Sequence, residues 1–115
     1  MFSTPIASAV IDKMNRVISG TYDDKKLTIF SGHDTNVAPM LTFLNLTTPE
    51  CVKRKFKNQT VTGNCAEPVP FASNIQYELH RKESVTPDKE KDPSSYFVKI
   101  RYNGDYYHLC ESSSF

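Results

Sequence analysis

The sequence predicts an α/β fold, and three observations carry that prediction. Apolar residues recur at helical spacing from Ile6 to Ile18. A short β-branched and aromatic run, Leu27-Thr28-Ile29-Phe30, is followed closely by a second helix-spaced set, Val37, Met40, Leu41 and Leu44. Two later segments alternate apolar and polar residues, and Asn103-Gly104 closes the second of them. The resulting order is helix, strand, helix, long loop, then antiparallel strands. At 115 residues, the chain has the length of one domain or of part of one.

The first helix is marked at both ends. Thr4-Pro5 reads as an N-cap followed by proline at the first helical position, where no intrahelical N–H bond is lost. Ile6, Val10, Ile11, Met14, Val17 and Ile18 form the apolar stripe, with Asp12, Lys13 and Arg16 opposite. Gly20 suits the left-handed position after the helix, and a polar turn, Thr21 to Lys25, follows. Leu27 to Phe30 reads as a buried strand, apolar on both faces. In the second helix Pro39 must fall in the first turn or kink the element.

Residues 47–70 read as a polar loop, as do 81–95. Between them Phe71 to His80 reads as a strand, with Ile75, Tyr77 and Leu79 alternating against Asn74, Gln76 and Glu78. Tyr96 to Tyr102 alternates again, Tyr96, Val98, Ile100 and Tyr102 on one face and Phe97, Lys99 and Arg101 on the other. Asn103-Gly104 is a strong two-residue hairpin signal, Asp105 to Leu109 the return strand, and Ser112 to Ser114 a frayed tail. The chain reads as a single partial domain over 1–115, because it does not supply the neighbours that a strand such as Leu27 to Phe30 needs on both sides.

Composition narrows the function. With 14 basic and 13 acidic side chains the formal charge is +1, which argues against nucleic acid as a partner. No stretch approaches the roughly 20 apolar residues of a bilayer span. The best run, Val37 to Leu46, is interrupted by Thr42 and Asn45. No basic region precedes an apolar block at Met1 to Pro5, so no signal peptide is read here. Cys51 and Cys65 bracket a polar segment of 13 residues and read as a disulfide-closed loop. Two sequons, Asn45-Leu46-Thr47 and Asn58-Gln59-Thr60, join that pair in pointing to the secretory route, to a secreted or lysosomal protein. Cys110 is either free or paired beyond this chain; the other reading is a reduced cytosolic protein with buried thiols. Lys53, Arg54, Lys55 and Lys57 form either an anion patch or a solvated face.

The chemistry concentrates in Leu27 to Val37, where His33 and Asp34 stand between a strand's C-terminal end and a helix. Open α/β sheets place ligands there, and the helix amides favour an anion. A histidine supplies a hydrogen bond or a charge to a phosphate, and an aspartate beside it can hold a proton for a leaving group. Alternatively, Asp34 or Thr35 is simply the helix N-cap and His33 a turn residue. His80 and His108 show no i, i+4 ligand pair with which His33 would make a metal site. Glu78 either supports the site or is an ordinary strand carboxylate, and Ser73 has no nucleophile-elbow context.

Ser31-Gly32-His33-Asp34-Thr35 resembles the His-Asp motif of the histidine acid phosphatases, the second branch of the histidine phosphatase superfamily. Pro70-Phe71-Ala72-Ser73 and the following Tyr77-Glu78-Leu79 resemble the family's P-x-A-S segment and its E-L strand. Tyr96 to Gly104 is similar to its late hairpin. The resemblance implies the C-terminal part of a mixed-sheet, three-layer fold ending in antiparallel strands. It implies phosphomonoester hydrolysis through a phosphohistidine, without metal or cofactor, with His33 as phosphate ligand and Asp34 as general acid. That proton donor suits an acidic pH. The family's Arg-His-Gly nucleophile motif occurs nowhere in this chain, so the missing N-terminal part of the catalytic domain would have to supply it. Gly32 stands where the family usually has alanine, a change expected to loosen the turn, and Pro39 is unexpected in the helix. A phytase-type phosphatase and a non-catalytic secreted module derived from the fold are the alternative readings.

Overall fold

The computed structural model describes residues 3–21, 26–66 and 69–109. Cys110, the serine tail and most of the polar turn after the first helix lie outside the described residues. Helix α1 spans Ser3–Ser19, α2 Asp34–Phe43 and α3 Pro49–Phe56; strands follow at Ile75–Arg81 (β1), Tyr96–Tyr102 (β2) and Asp105–Tyr107 (β3). The sheet is antiparallel in the order β1-β2-β3. Helices plus this terminal antiparallel sheet give the α/β class that the sequence predicts.

Helices α1, α2 and α3 stop in the same way. After α1, the Gly20 amide bonds the Val17 carbonyl and the Thr21 amide the Arg16 carbonyl, with Gly20 at φ +75°. After α2, Asn45 at φ 56° repeats the pattern, its amide on Thr42 and the Leu46 amide on Leu41. After α3, Asn58 at φ 53° repeats it again, with Asn58 on Lys55 and Gln59 on Arg54. This is the Schellman motif, which needs a residue that tolerates the left-handed region; glycine and asparagine do so at least cost.

The β-hairpin follows from its sequence. Asn103 and Gly104 have φ of 48° and 92°, both positive as the tight turn between twisted strands requires. The pairing of β1 with β2 sets Ile75 opposite Tyr102 and Tyr77 opposite Ile100. These side chains share one sheet face, on which Leu41, Leu46, Ala66, Ile100 and Tyr102 form the buried core, flanked by Val37, Leu44, Val69, Ile75, Tyr77 and Tyr107. Helix α1 meets the other end of the same face. There Ile11, Met14 and Ile18 border an apolar groove with Leu79, Tyr96 and Val98. Burial pushes the Tyr77 phenol up to about 12, and its hydroxyl has no hydrogen-bond partner.

Four local expectations need correction. Leu27 to Phe30 is not a strand: Leu27 is 76% and Ile29 79% exposed, and no strand among the described residues pairs with the segment. Its composition is strand-like, but a strand exists only where another edge meets it. Within 47–70 the chain is helical over Pro49–Phe56, capped by Thr48, whose Oγ1 accepts the Cys51 amide at 3.1 Å. Strand β1 starts at Ile75 rather than Phe71, because Ala72 turns into the left-handed region (φ 60°) and the Ser73 hydroxyl donates back to the Pro70 carbonyl. Finally, α1 starts one residue before Thr4, and Pro39 falls in the second turn of α2, where its ring nitrogen gives no hydrogen to the Thr35 carbonyl.

The loop bounded by Cys51 and Cys65 is closed by a disulfide between them, with Cα atoms 5.9 Å apart. Two basic residues of α3, Arg54 and Lys55, have local partners. Arg54 pairs with Glu50 at 3.2 Å, Lys55 Nζ donates to the Cys65 carbonyl at 2.8 Å, and both sit where the helix C-terminus favours cations. Arg81 still belongs to β1, and the segment 82–95 is irregular apart from two short 3-10 turns, Pro87–Lys89 and Pro93–Ser95. The buried Ser95 hydroxyl donates to the Lys89 carbonyl and its carbonyl accepts the Lys82 amide, which closes the segment on itself.

Candidate active site

His33 and Asp34 stand together at the start of α2. His33 is the N-cap, extended at φ −114° and ψ 171°, and its carbonyl accepts the Asn36 and Val37 amides at 2.9 and 3.1 Å. The sequence offered Asp34 or Thr35 for that role; the helix starts one residue earlier because Asn36 reaches back to take the His33 amide on Oδ1 at 2.9 Å. Asp34 is then the first helical residue, where a carboxylate meets the positive end of the helix, and its Oδ1 accepts the Thr35 amide at 2.8 Å. Both side chains are exposed. They are neighbours at one helix end, in the first turn, where amide groups favour an anion. The signal in the sequence that would have located the cap is Asn36, three residues beyond His33.

The other titratable candidates gather elsewhere. The pairing register puts Glu78, His80, Lys99, Arg101 and Tyr106 on the sheet face opposite the core. There the Glu78 carboxylate accepts from Arg101 at 2.8 Å and from the Tyr106 hydroxyl at 3.2 Å, and meets His80 Nε2 at 2.9 Å. The His80 ring stacks on Phe97 with centroids 5.2 Å apart, and the Arg101 guanidinium lies over Tyr106 at 4.7 Å. Glu78 is thus a clamp across three strands, and its face is not the one against which α2 packs. Residue-by-residue reading missed this cluster, because only the strand register brings its members together.

The hydrogen bond with His80, then those with Arg101 and Tyr106, hold the Glu78 carboxyl down to about 2, against an ordinary value of 4.5. The sign follows from proton linkage. The native chain keeps Glu78 ionised where the unfolded chain protonates it, so the clamp contributes in full above about pH 4.5 and is lost as pH falls toward 2. An acid titration followed by circular dichroism should therefore show a stability decline in that window. Glu78→Gln should remove part of the decline; an unchanged acid profile would deny the clamp its role.

Among the described residues, no group of three or more His, Cys, Asp or Glu is gathered as a metal site would require, and no helix is long and apolar enough to cross a membrane. The groove beside α1 has a mostly apolar lining and contains neither His33 nor Asp34.

Comparison with known proteins bears on this arrangement. The sequence profile of the histidine phosphatase superfamily (branch 2) matches residues 2–103, a span that includes His33, Asp34 and strands β1 and β2. A curated relative, 2-phosphoxylose phosphatase 1 of Mus musculus, is 29% identical over 100 residues. That alignment covers 87% of this chain and 16% of the relative, so the chain spans a small part of the length of the protein it matches. No solved structure matches the chain significantly. A profile match across nearly all of the sequence, through the segment that presents His33 and Asp34, places this chain in branch 2 of the histidine phosphatase superfamily.

Proposed function

We propose that this chain contributes the phosphate-binding His33 and the general-acid Asp34 to a phosphomonoesterase whose nucleophilic histidine lies in a segment that this chain does not contain. The observation that carries the reading is the pair itself: an exposed imidazole and carboxyl on consecutive residues at the N-terminus of α2. The His33 ring holds a phosphoryl oxygen by a hydrogen bond or as a cation. The nucleophilic imidazole takes the phosphoryl group as the P–O bond to the alcohol breaks. Asp34 gives its proton to the departing oxygen, so the product leaves as an alcohol rather than an alkoxide. Water then attacks the phosphohistidine, and the same carboxylate accepts its proton. Acidic conditions favour the first of these proton transfers.

The named relative acts on a phosphorylated sugar, which makes sugar phosphates the first substrates to try here. The lack of Arg-His-Gly in the sequence favours one second reading, a non-catalytic module built on the same fold. The Cys51–Cys65 disulfide and the sequons at Asn45 and Asn58 support passage through the secretory pathway, to a secreted or lysosomal destination. The exposed Leu27, Ile29 and Phe30 support a catalytic domain in which further strands cover that segment.

The deciding experiment compares the 115-residue chain with the complete gene product, both assayed for phosphate release from phosphomonoesters at acidic pH. The complete protein is expected to hydrolyse them and the chain alone to release none above the blank. A complete protein that carries an Arg-His-Gly segment and still releases no phosphate would turn the assignment to the module.

A further inference from the structure

Gly32 and the Asn36 side chain compete for one small volume. A Cβ placed on Gly32 would stand 3.0 Å from Asn36 Oδ1, 3.3 Å from its Cβ and 3.4 Å from its Cγ. Gly32 is not among the residues in the left-handed region, so an alanine there would meet no backbone penalty; the obstacle is the Asn36 side chain. The oxygen it would press on is the one that accepts the His33 amide at 2.9 Å. That hydrogen bond joins the residue before Asp34 to the helix turn after it, and so sets the angle at which the chain enters α2.

We propose that Asn36 is a positioning residue for His33 and Asp34, and that residue 32 is glycine because its missing side chain makes room for the Asn36 amide. The inference rests on the reading of His33 and Asp34 as a phosphate-handling pair and deepens it. It also reverses what the sequence suggests about residue 32. A glycine in place of the family's usual alanine does not slacken this turn, since the space it leaves is filled by a side chain that ties the turn down.

A plain helix cap would be worth stability alone. A positioning cap also governs how well the acid reaches the leaving oxygen, and small misplacements of a reacting group are costly in rate. In the complete catalytic domain, Asn36→Ala should therefore lower kcat for an alkyl phosphate by about tenfold more than for p-nitrophenyl phosphate, whose leaving group needs no proton. Asn36→Gln, which keeps a neutral carbonyl acceptor at the position where capping boxes place one, should restore most of the loss. Gly32→Ala should reproduce the Asn36→Ala behaviour. The double variant should be no worse than the poorer single one, because both remove the same hydrogen bond.

A second readout does not depend on activity. In the 115-residue chain, hydrogen exchange of the His33 amide should speed up about fivefold in Asn36→Ala and in Gly32→Ala, the factor that one neutral hydrogen bond carries. Equal losses on the two esters, or losses that add in the double variant, would reduce Asn36 to an ordinary cap. His33 amide exchange that ignores both substitutions would overturn the coupling itself. An Asp34→Ala enzyme that treats both esters alike would instead sink the site reading, so the two failures are distinguishable.

Discussion

Asp34→Ala, in the complete catalytic domain, is expected to slow hydrolysis of an alkyl phosphate by about 10²–10⁴-fold, the range that a placed general acid supplies. Hydrolysis of p-nitrophenyl phosphate should fall far less. The argument lies in the leaving group. An alkoxide is a strong base and departs only with a proton from a donor within reach, whereas p-nitrophenolate is stable enough to depart alone. Asp34 is placed for the role by position, as the first residue of α2 and the neighbour of the proposed phosphate ligand His33. The carboxyl is exposed, so its removal should cost only the Thr35 amide bond and the helix-end charge, a drop of about 5 °C or less in the thermal midpoint. Rates measured on both esters, with the midpoint as a control for folding, decide the point. Equal losses on the two substrates would remove Asp34 from the acid role.

The second large effect concerns stability. Cys51→Ser or Cys65→Ser should cost about 3 kcal/mol, the loop-closure term for a bridge of this span, and lower the thermal midpoint by about 10 °C or more. The bridged residues are 14 apart in sequence. Helix α3 buries only Cys51, so little else fastens it to the body of the chain. The supporting contacts among the described residues include Lys55 on the Cys65 carbonyl, Asn64 Nδ2 donating to the His108 carbonyl at 2.8 Å, and the buried Ala66, whose amide bonds the Leu46 carbonyl at 2.7 Å. Melting with and without reductant reads the effect, and peptide mapping without reductant should recover Cys51 joined to Cys65. A midpoint indifferent to reduction would show that the bridge contributes nothing.

These two predictions draw on different depths of sequence information. The turn and register of the hairpin were legible, because alternation and an Asn-Gly turn are local signals, but the return strand stops at Tyr107, short of the expected Leu109. The end of α1 at Gly20 was legible for the same reason. Helix α3 escaped because it is short and buries a single side chain, so its apolar periodicity is thin; Thr48-Pro49-Glu50 was the sign that mattered. Leu27 to Phe30 failed in the opposite sense, since its composition is right for a strand but pairing depends on chain far away in sequence. His33 and Asp34 were legible as a pair. What the sequence hid was the tie between His33 and Asn36, because histidine is not a usual cap and the bond runs from a backbone amide to a side-chain oxygen.

The way α2 and α3 end bears on how carbohydrate attachment could be studied. The asparagines in the left-handed stop positions, Asn45 and Asn58, are the acceptor residues of the two sequons. The customary glutamine replacement would remove an acceptor and, at the same position, a residue suited to left-handed backbone, at a cost of about 1–2 kcal/mol. Lost secretion in such a variant would then reflect a damaged helix terminus as much as an absent glycan. Thr60→Ala abolishes the second sequon while Asn58 stays in place, and so separates the sugar's contribution from that of the polypeptide.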